Sequence, residues 1–306
     1  MSAQTPLIPA RHKDLNRAKV CDDNFIEFVS NWQGQALPRP SSDEPILDGS
    51  ACSAGDFAEL FESQLISRHL DLMARVLRVQ QKVFYTIGSS GHEGNAMVAR
   101  LARHTDPAFL HYRSGGFMAE RFRKLPGMDP VMDSALSFAA SKDDPISGGR
   151  HKVWGSKPLW VLPQTSTIAS HLPKALGTAV AIEQAKRIGH ASPIPDDSIV
   201  ICSFGDASSN HATAQTAFNT AQWTAYQKLP APVLFVCEDN GIGISVKQRL
   251  PEPGRPGLFL RRRPGHRRGL RAGQARRRAL PQHPPSDVPA SAHHAHHGPC
   301  RHRFRD

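Results

Sequence analysis

Two short apolar segments of the chain each run into polar residues that could bind a cation. Residues 198–204 (Ser-Ile-Val-Ile-Cys-Ser-Phe) lead into Gly205-Asp206, and residues 233–237 lead into Glu238-Asp239-Asn240. Apolar runs bounded in this way predict buried strands of a parallel sheet, whose ligands gather at the carboxyl ends of the strands. A carboxylate and an amide oxygen are hard ligands that suit Mg²⁺, which usually shares its coordination shell with phosphate and water. The sequence therefore predicts a magnesium and phosphate site at these strand ends.

A helix is predicted between the two strands. Ser208, Ser209 and Asn210 could cap its start, and one face of the helix is apolar: Ala214, Ala217, Phe218, Ala221 and Ala225. The strand, helix and strand together have the right length for a right-handed parallel crossover. We expect the amide groups that open this helix after Ala207 to face the cation site and to favour a diphosphate.

Helical patterns upstream complete the predicted fold. Apolar residues recur at helical spacing from Phe57 onward: Leu60, Phe61, Leu65, Leu72, Met73 and Val76. A second helical stretch ends near Arg103, and a third runs from about Ile168 to Arg187, with Pro173 tolerated in its first turn. The predicted fold is α/β, a doubly wound and mostly parallel sheet flanked by helices, incomplete at its C-terminal end.

Composition divides the 306 residues into three expected regions: an N-terminal arm over 1–55, an α/β domain over 56–247 and a tail over 248–306. The five cysteines are widely scattered and form no disulfide framework, which predicts reduced thiols. No apolar stretch resembles a signal peptide or a membrane span. We therefore expect a cytoplasmic protein without membrane contact.

The tail accounts for the whole net charge of +11. Residues 248–306 hold 14 arginines against three acidic residues, and they also contain nine prolines and seven histidines but no Lys, Ile, Met, Asn, Thr, Trp or Tyr. Three interpretations remain open: a disordered basic tail, a nucleic-acid-binding arm, or a GC-rich coding region translated in the wrong frame. The missing residue types are largely those with AT-rich codons, which favours the frame error.

The strand-end residues carry a resemblance to a known cofactor signature. Gly205-Asp206-Ala207, followed about thirty residues later by Glu238-Asp239-Asn240, resembles the Gly-Asp-Gly and Asn-Asn pattern of thiamine diphosphate enzymes. The resemblance implies that the Asp206 carboxylate, the Asn240 amide oxygen and the Ile242 carbonyl bind Mg²⁺. It also implies that Gly205, Ala207 and Ser208 lie along the diphosphate. Ala207 and Asp239 depart from the pattern, but neither stands at a matched metal-ligand position.

Further segments resemble the alpha subunit of the 2-oxo acid dehydrogenases, particularly the branched-chain type. Residues 84–94 look like the entry to the first family helix. The His111-Tyr112-Arg113 segment is similar to one whose Tyr and Arg reach the diphosphate, and the planar fork of an Arg matches phosphate oxygens. Residues 164–168 resemble the loop at the aminopyrimidine, where Ser166 would bond the ring and Ile168 would bend the cofactor. The simpler alternatives are a surface arginine and a plain helix cap at 165–167.

The resemblance implies a division of labour between proteins. The alpha part would decarboxylate a branched-chain 2-oxo acid on thiamine diphosphate and pass the acyl group to a lipoyl-bearing acyltransferase, with His111 contacting substrate. A glutamate from a beta part, separate or formerly fused, would activate the cofactor. If the tail is out of frame, the chain lacks both the end of its cofactor domain and any fused beta part, so we expect it to be inactive alone. The alternatives are another thiamine diphosphate enzyme, such as a transketolase-like protein, or a nucleic-acid-binding protein that uses the basic tail; the latter is disfavoured because charge and globular body are segregated.

Overall fold

The structure, a computed structural model, describes residues 17–34, 40–83, 88–89, 91–240, 242–243 and 246–247. Residues 84–87 of the predicted helix entry, Ser90 and the whole predicted tail lie outside the described residues. The helices are α1 Arg17–Ser30, α2 Ala54–Val79, α3 Ala96–Leu101, α4 Gly115–Phe122, α5 Pro130–Phe138, α6 His171–Arg187 and α7 Ala212–Tyr226. The strands are β1 Ala108–Phe109, β2 Val161–Leu162, β3 Val200–Gly205, β4 Val233–Glu238, β5 Ile242–Gly243 and β6 Val246–Lys247.

Four of these strands form one parallel sheet in the order β2-β1-β3-β4. β3 and β4 pair over their full length, from Val200 opposite Val233 to Gly205 opposite Glu238. β1 and β2 contribute only two residues each. A short antiparallel pair, β5 and β6, follows β4. The strand, helix and strand predicted for residues 198–237 are thus confirmed as β3, α7 and β4.

Apolar side chains cover both faces of the sheet. On one face, β3 residues Val200, Cys202 and Phe204 pack into a cluster with residues of α6 and α7. On the other face, Ile201 packs into a second cluster with residues such as Ala108 of β1 and Phe117 of α4. Because alternate residues of a strand point to opposite faces, a strand covered on both sides needs a continuous apolar sequence. The doubly wound α/β fold predicted from the sequence is confirmed.

The starts of two helices differ from the prediction. After β3 the chain makes one 3₁₀ turn, Asp206–Ser208, and α7 begins only at Ala212, capped by His211, whose ring accepts the Thr213 amide. The expected cap at residues 208–210 is therefore wrong. α6 begins at His171 rather than near Ile168 because Ala169 has a positive φ of 64°, which no helical residue adopts. Pro173 does lie in the first turn of α6, as predicted.

The long helix α2 is confirmed, but the face that it buries is not the predicted one. Its start is fixed by a reciprocal capping box between Ser53 and Asp56. The buried residues are Leu60, Ser63, Ser67, Asp71 and Ala74. Most of the predicted apolar face is exposed: Phe61, Leu65, Leu72, Met73 and Val76. The apolar periodicity located the helix correctly, yet polar side chains make the contacts to α4.

Among the described residues, no helix combines the length and the apolar character needed to cross a bilayer.

Candidate cofactor site at the strand ends

Asp206 lies directly after β3 with one carboxylate oxygen, Oδ2, buried and without a hydrogen-bond partner. Because Gly205 pairs with Glu238, Asp206 lies beside the end of β4. Burial raises the pKa of the Cys237 thiol to about 11, and the nearby Asp206 charge adds to this effect. The structure thus brings the predicted carboxylate to the edge where β4 also ends.

Asn240 and Ile242, the other two predicted metal ligands, follow β4 at the same edge. Asn240 is exposed, and its amide nitrogen lies 3.5 Å from Nε2 of His92. Ile242 belongs to β5, and β5 contacts the 3₁₀ turn that contains Asp206. The three predicted ligand positions therefore belong to segments that meet at one end of the sheet.

The predicted diphosphate residues around this turn have different environments. Ala207 is exposed and Ser208 is buried. A Cβ atom added to Gly205 would lie 3.3 Å from Nε2 of His111, so any larger residue would press on that ring. The helix that was expected to aim its first amides at a diphosphate starts six residues after Asp206, so this part of the prediction is wrong. The 3₁₀ turn Asp206–Ser208 follows β3 instead.

His111, the predicted substrate contact, is held rigidly in a buried position. Its backbone amide donates to Ser203 Oγ (3.0 Å), and its ring stacks on Tyr112 with a centroid distance of 4.1 Å. Burial lowers the pKa of His111 to about 4, and Glu238 opposes this shift only in part. The ring is therefore neutral near pH 7, where it can accept or donate a hydrogen bond but carries no charge.

Tyr112 and Arg113 extend from the same segment toward different neighbours. Trp154 donates its indole N–H to the Tyr112 carbonyl (2.9 Å), which fixes the backbone here. The Arg113 guanidinium lies 5.3 Å from the centroid of the Tyr112 ring and donates from one terminal nitrogen to the Gly88 carbonyl (2.5 Å). Arg113 thus links the segment after β1 to Gly88 and brings a positive charge there.

The loop 164–169 closes a small cavity against the end of β1. The cavity has a volume of about 20 Å³, room for roughly one water molecule, and its lining includes His111, Tyr112, Ser166, Ile168 and Ser208. Five of the predicted site residues are therefore brought together by three separate segments. Ser166 Oγ lies 2.5 Å from Nε2 of His151. Ile168 borders the cavity but is 50% exposed, as expected of a side chain that contacts a second molecule.

Sequence reasoning missed a buried polar cluster behind Asn240. Nδ1 of His92 lies 2.8 Å from Oε2 of Glu238, and the Asn95 amide lies within 3.4 Å of both Glu238 oxygens. His92 and Glu238 are 146 residues apart in the chain, so only the sheet register reveals the contact. His92, His111 and Glu238 each offer one atom that could bind a metal ion, and these three atoms lie within 4.8 Å of one another. The His92–Glu238 hydrogen bond, however, already uses one such atom from each of two members.

The strand-end residues fit a divalent cation with a diphosphate. A buried carboxylate oxygen without a partner is costly, and a cation removes that cost. Asp206 offers such an oxygen, while Asn240 and the Ile242 backbone supply neutral oxygens of the type that Mg²⁺ prefers. Arg113 supplies positive charge for phosphate at the same end of the sheet.

Comparison with known proteins identifies a matching family and several similar sequences. The model of the family "Dehydrogenase E1 component" matches residues 62–252. The 2-oxoisovalerate dehydrogenase subunit alpha of Bacillus subtilis (strain 168) is 29% identical over 192 residues, which cover 61% of this chain and 52% of that protein. The mitochondrial subunits of Caenorhabditis elegans and Homo sapiens are 26% identical over 242 residues and 24% identical over 223 residues. These two alignments cover 76% and 72% of this chain, and 52% and 44% of those proteins.

The chain spans about half the length of these curated relatives. The matched family region nevertheless covers α3 to α7, the complete parallel sheet and every predicted site residue. It begins within α2 and ends shortly after β6. Since the family model accounts for well over half of the residues, the chain belongs to the dehydrogenase E1 component family.

Proposed function

We propose that this chain is the alpha part of a 2-oxo acid dehydrogenase decarboxylating component, one that uses thiamine diphosphate and Mg²⁺ to decarboxylate a branched-chain 2-oxo acid. The acyl group would pass to a lipoyl-bearing acyltransferase. Family membership supports the class of enzyme. The relatives named 2-oxoisovalerate dehydrogenase subunit alpha support a branched substrate over the sugar phosphates of a transketolase-like enzyme.

The observation that carries the proposal is the unpartnered Oδ2 of Asp206. A buried polar atom without a hydrogen-bond partner is destabilising, by about 1–3 kcal/mol. A protein retains such a group where a ligand satisfies it. Asn240 follows the neighbouring strand β4, and β5, which contains Ile242, contacts the 3₁₀ turn of Asp206. This is the oxygen set that an octahedral Mg²⁺ shares with phosphate and water.

Each remaining site residue has a proposed task. Asp206, Asn240 and the Ile242 carbonyl hold the cation, while Tyr112 and Arg113 bind the diphosphate along the backbone of Gly205, Ala207 and Ser208. Ser166 bonds the aminopyrimidine, and Ile168 supports the bend of the cofactor. His111 is neutral near pH 7 and contacts the 2-oxo acid. When bound, thiamine diphosphate supplies the carbon nucleophile and holds the electron pair released with carbon dioxide.

A beta part is the proposed partner that completes the site. The cavity lined by loop 164–169 is far smaller than the cofactor, and Ile168 is half exposed beside it. A cofactor that lies between two proteins needs only half of its surface covered by each. The activating glutamate would come from the beta part, so the chain alone would not turn over.

The described cysteines Cys52, Cys202 and Cys237 are free, which supports a reducing compartment such as the cytoplasm.

Calorimetric titration of the full chain with thiamine diphosphate and Mg²⁺ tests the proposal. We expect saturable binding that requires both ligands and that falls at least tenfold in Asp206→Ala. Asp196→Ala, which removes an exposed carboxylate outside the site, is the matched control and should bind as the unchanged chain does. Absence of Mg²⁺-dependent binding, or equal binding by Asp206→Ala, would contradict the proposed function.

A further inference from the structure

The ring of His92 links a carboxylate on one side to Asn240 on the other. Its Nδ1 atom lies 2.8 Å from Oε2 of Glu238, and its Nε2 atom lies 3.5 Å from the amide nitrogen of Asn240. The side chains of His92 and Glu238 are only 7% and 8% exposed. None of the tasks proposed above uses His92, although it contacts a proposed metal ligand.

Hydrogen-bond chemistry decides how the members of this chain must face one another. The amide nitrogen of Asn240 can only donate, so Nε2 of His92, which it faces, must accept and carries no hydrogen. The ring hydrogen of His92 is then on Nδ1, which faces the Glu238 carboxylate. The amide oxygen of Asn240 is consequently turned away from His92.

We propose that His92 is a positioning residue that presents the amide oxygen of Asn240 to the divalent cation. This inference rests on the proposed function, because it assumes that Asn240 is a metal ligand. Glu238 sets the tautomer of His92, and His92 accepts from the NH₂ group of Asn240, so that the amide oxygen points away from His92 and can bind the cation. A freely rotating amide would present its NH₂ group to the cation half of the time, so fixing it favours binding.

The rest of the cluster keeps the relay in place. Asn95 donates to both oxygens of Glu238 and accepts the Phe117 backbone amide (2.7 Å), which ties the carboxylate to the first turn of α4. The pairing of Gly205 with Glu238 fixes the carboxylate beside the predicted cation site. The ring centroid of His111 lies 5.8 Å from that of His92. Burial keeps His111 neutral near pH 7 through its lowered pKa, so it adds no competing positive charge.

Outer-sphere partners of this kind have a measurable effect on metal binding. Removing a group that orients a ligand typically lowers metal affinity by about 10- to 100-fold while the ligand itself remains. Two substitutions separate the steps. His92→Leu removes both hydrogen bonds at similar volume. Glu238→Gln keeps the shape of the side chain but can donate to Nδ1, so that His92 is free to adopt the other tautomer and repel the Asn240 NH₂ group.

The first readout needs no cofactor. Two-bond ¹H–¹⁵N correlation spectra of the full chain labelled with ¹⁵N-histidine distinguish the tautomers, and the signal lost in His92→Leu identifies His92. We expect the neutral Nδ1–H form in the unchanged chain and a change of tautomer in Glu238→Gln. An Nε2–H form, or a ring protonated on both nitrogens, in the unchanged chain would overturn the inference.

The second readout is the Mg²⁺ affinity measured by calorimetry with thiamine diphosphate, alongside the thermal unfolding midpoint. We expect His92→Leu and Glu238→Gln to weaken Mg²⁺ binding by about 10- to 100-fold, while the exposed control His190→Gln has no effect. Binding that depends on Asp206 but is unchanged in both variants would refute the positioning role and leave the proposed function intact. Failure of the unchanged chain to bind Mg²⁺ at all would instead refute the proposed function, and the positioning role with it.

Discussion

Lys152 is a half-buried cation whose charge the fold tolerates poorly. Its ammonium lies 4.9 Å from the centroid of the Phe138 ring and 5.2 Å from that of Trp154. Burial lowers the pKa of Lys152 from 10.5 to about 8, although the nearby Asp71 charge opposes the shift. The folded state therefore binds the proton less tightly than the unfolded state does. Between these two pKa values, the free energy of unfolding must rise as pH rises.

Lys152→Met should remove this pH dependence. Above pH 10.5 the unchanged chain carries little penalty, and as pH falls from 10.5 to about 8 it loses up to about 3 kcal/mol. Methionine keeps the volume without the charge, so the variant should be more stable than the unchanged chain at pH 7, and the difference should vanish near pH 10.5. Urea unfolding from pH 7 to 10.5 measures both. Lys157→Met, at an exposed position, is the control; a variant less stable than the unchanged chain at pH 7 would contradict the argument.

The candidate site shows what the sequence can reveal of single residues. Asp206 and Asn240 were predictable because each follows an apolar run that ends in polar residues, and parallel strands align such ends. Ser166 and Ile168 were placed by resemblance to a family loop, and the structure puts both at a cavity with His111. The partners of these residues were not predictable. His151 beside Ser166, and Glu238 beside His92, come from distant segments that carry no local signal of their contact.

At the scale of elements, charged side chains join three helices around Glu120 of α4. Glu120 is fully buried, and it accepts from Ser63 Oγ of α2 (2.7 Å) and from Arg100 of α3 (2.9 Å). Arg100 also pairs with Glu59 (2.7 Å) and with Asp56. Arg100 remains 20% exposed whereas Glu120 is 0% exposed. Glu120 therefore depends on Arg100 for its ion pairing more than Arg100 depends on Glu120.

Removing the two partners separately should show this inequality. Arg100→Met leaves a buried carboxylate with only Ser63 and the more distant Arg123, and should destabilise the chain by about 3 kcal/mol. Glu120→Met leaves Arg100 with two other carboxylates and partial solvent, so it should cost about 1 kcal/mol. The double variant should be more stable than Arg100→Met alone, because no unpaired charge remains. Chemical denaturation of all four chains measures the coupling, and strictly additive losses would disprove it.

The same contacts explain which parts of the fold the sequence could predict. Strand, helix and strand from β3 to β4 were predictable because burial on both faces demands a continuous apolar strand. The buried face of α2 was not predictable, because Ser63, Ser67 and Asp71 pack inward through hydrogen bonds rather than through apolar area. Helix starts were misplaced for local reasons. The positive φ of Ala169 delays α6, and a 3₁₀ turn at Asp206 delays α7.

At the scale of the whole molecule, the net charge and the proposed site lie in different parts of the chain. All of the net charge of +11 falls in residues 248–306, so the body that carries the site has no net charge. Under the proposed function, the attraction of the anionic cofactor would come from local groups, namely Arg113 and the cation. The predicted regions 1–55, 56–247 and 248–306 remain predictions. The proposed site would form one wall of the cofactor pocket, with Ile168 half exposed at the edge of the small cavity.

A half-formed pocket predicts that turnover depends on a second protein. The full chain with thiamine diphosphate, Mg²⁺ and 2-oxoisovalerate should release no carbon dioxide above the rate without enzyme, because the proposed activating glutamate lies on the beta part. Addition of a purified beta part of the same enzyme class should produce release, measured with substrate labelled at the carboxyl carbon. Asp206→Ala mixed with the same beta part should remain inactive and serves as the control for contaminating activity. Robust decarboxylation by the chain alone would show that it contains a complete site and would contradict the division of labour proposed here.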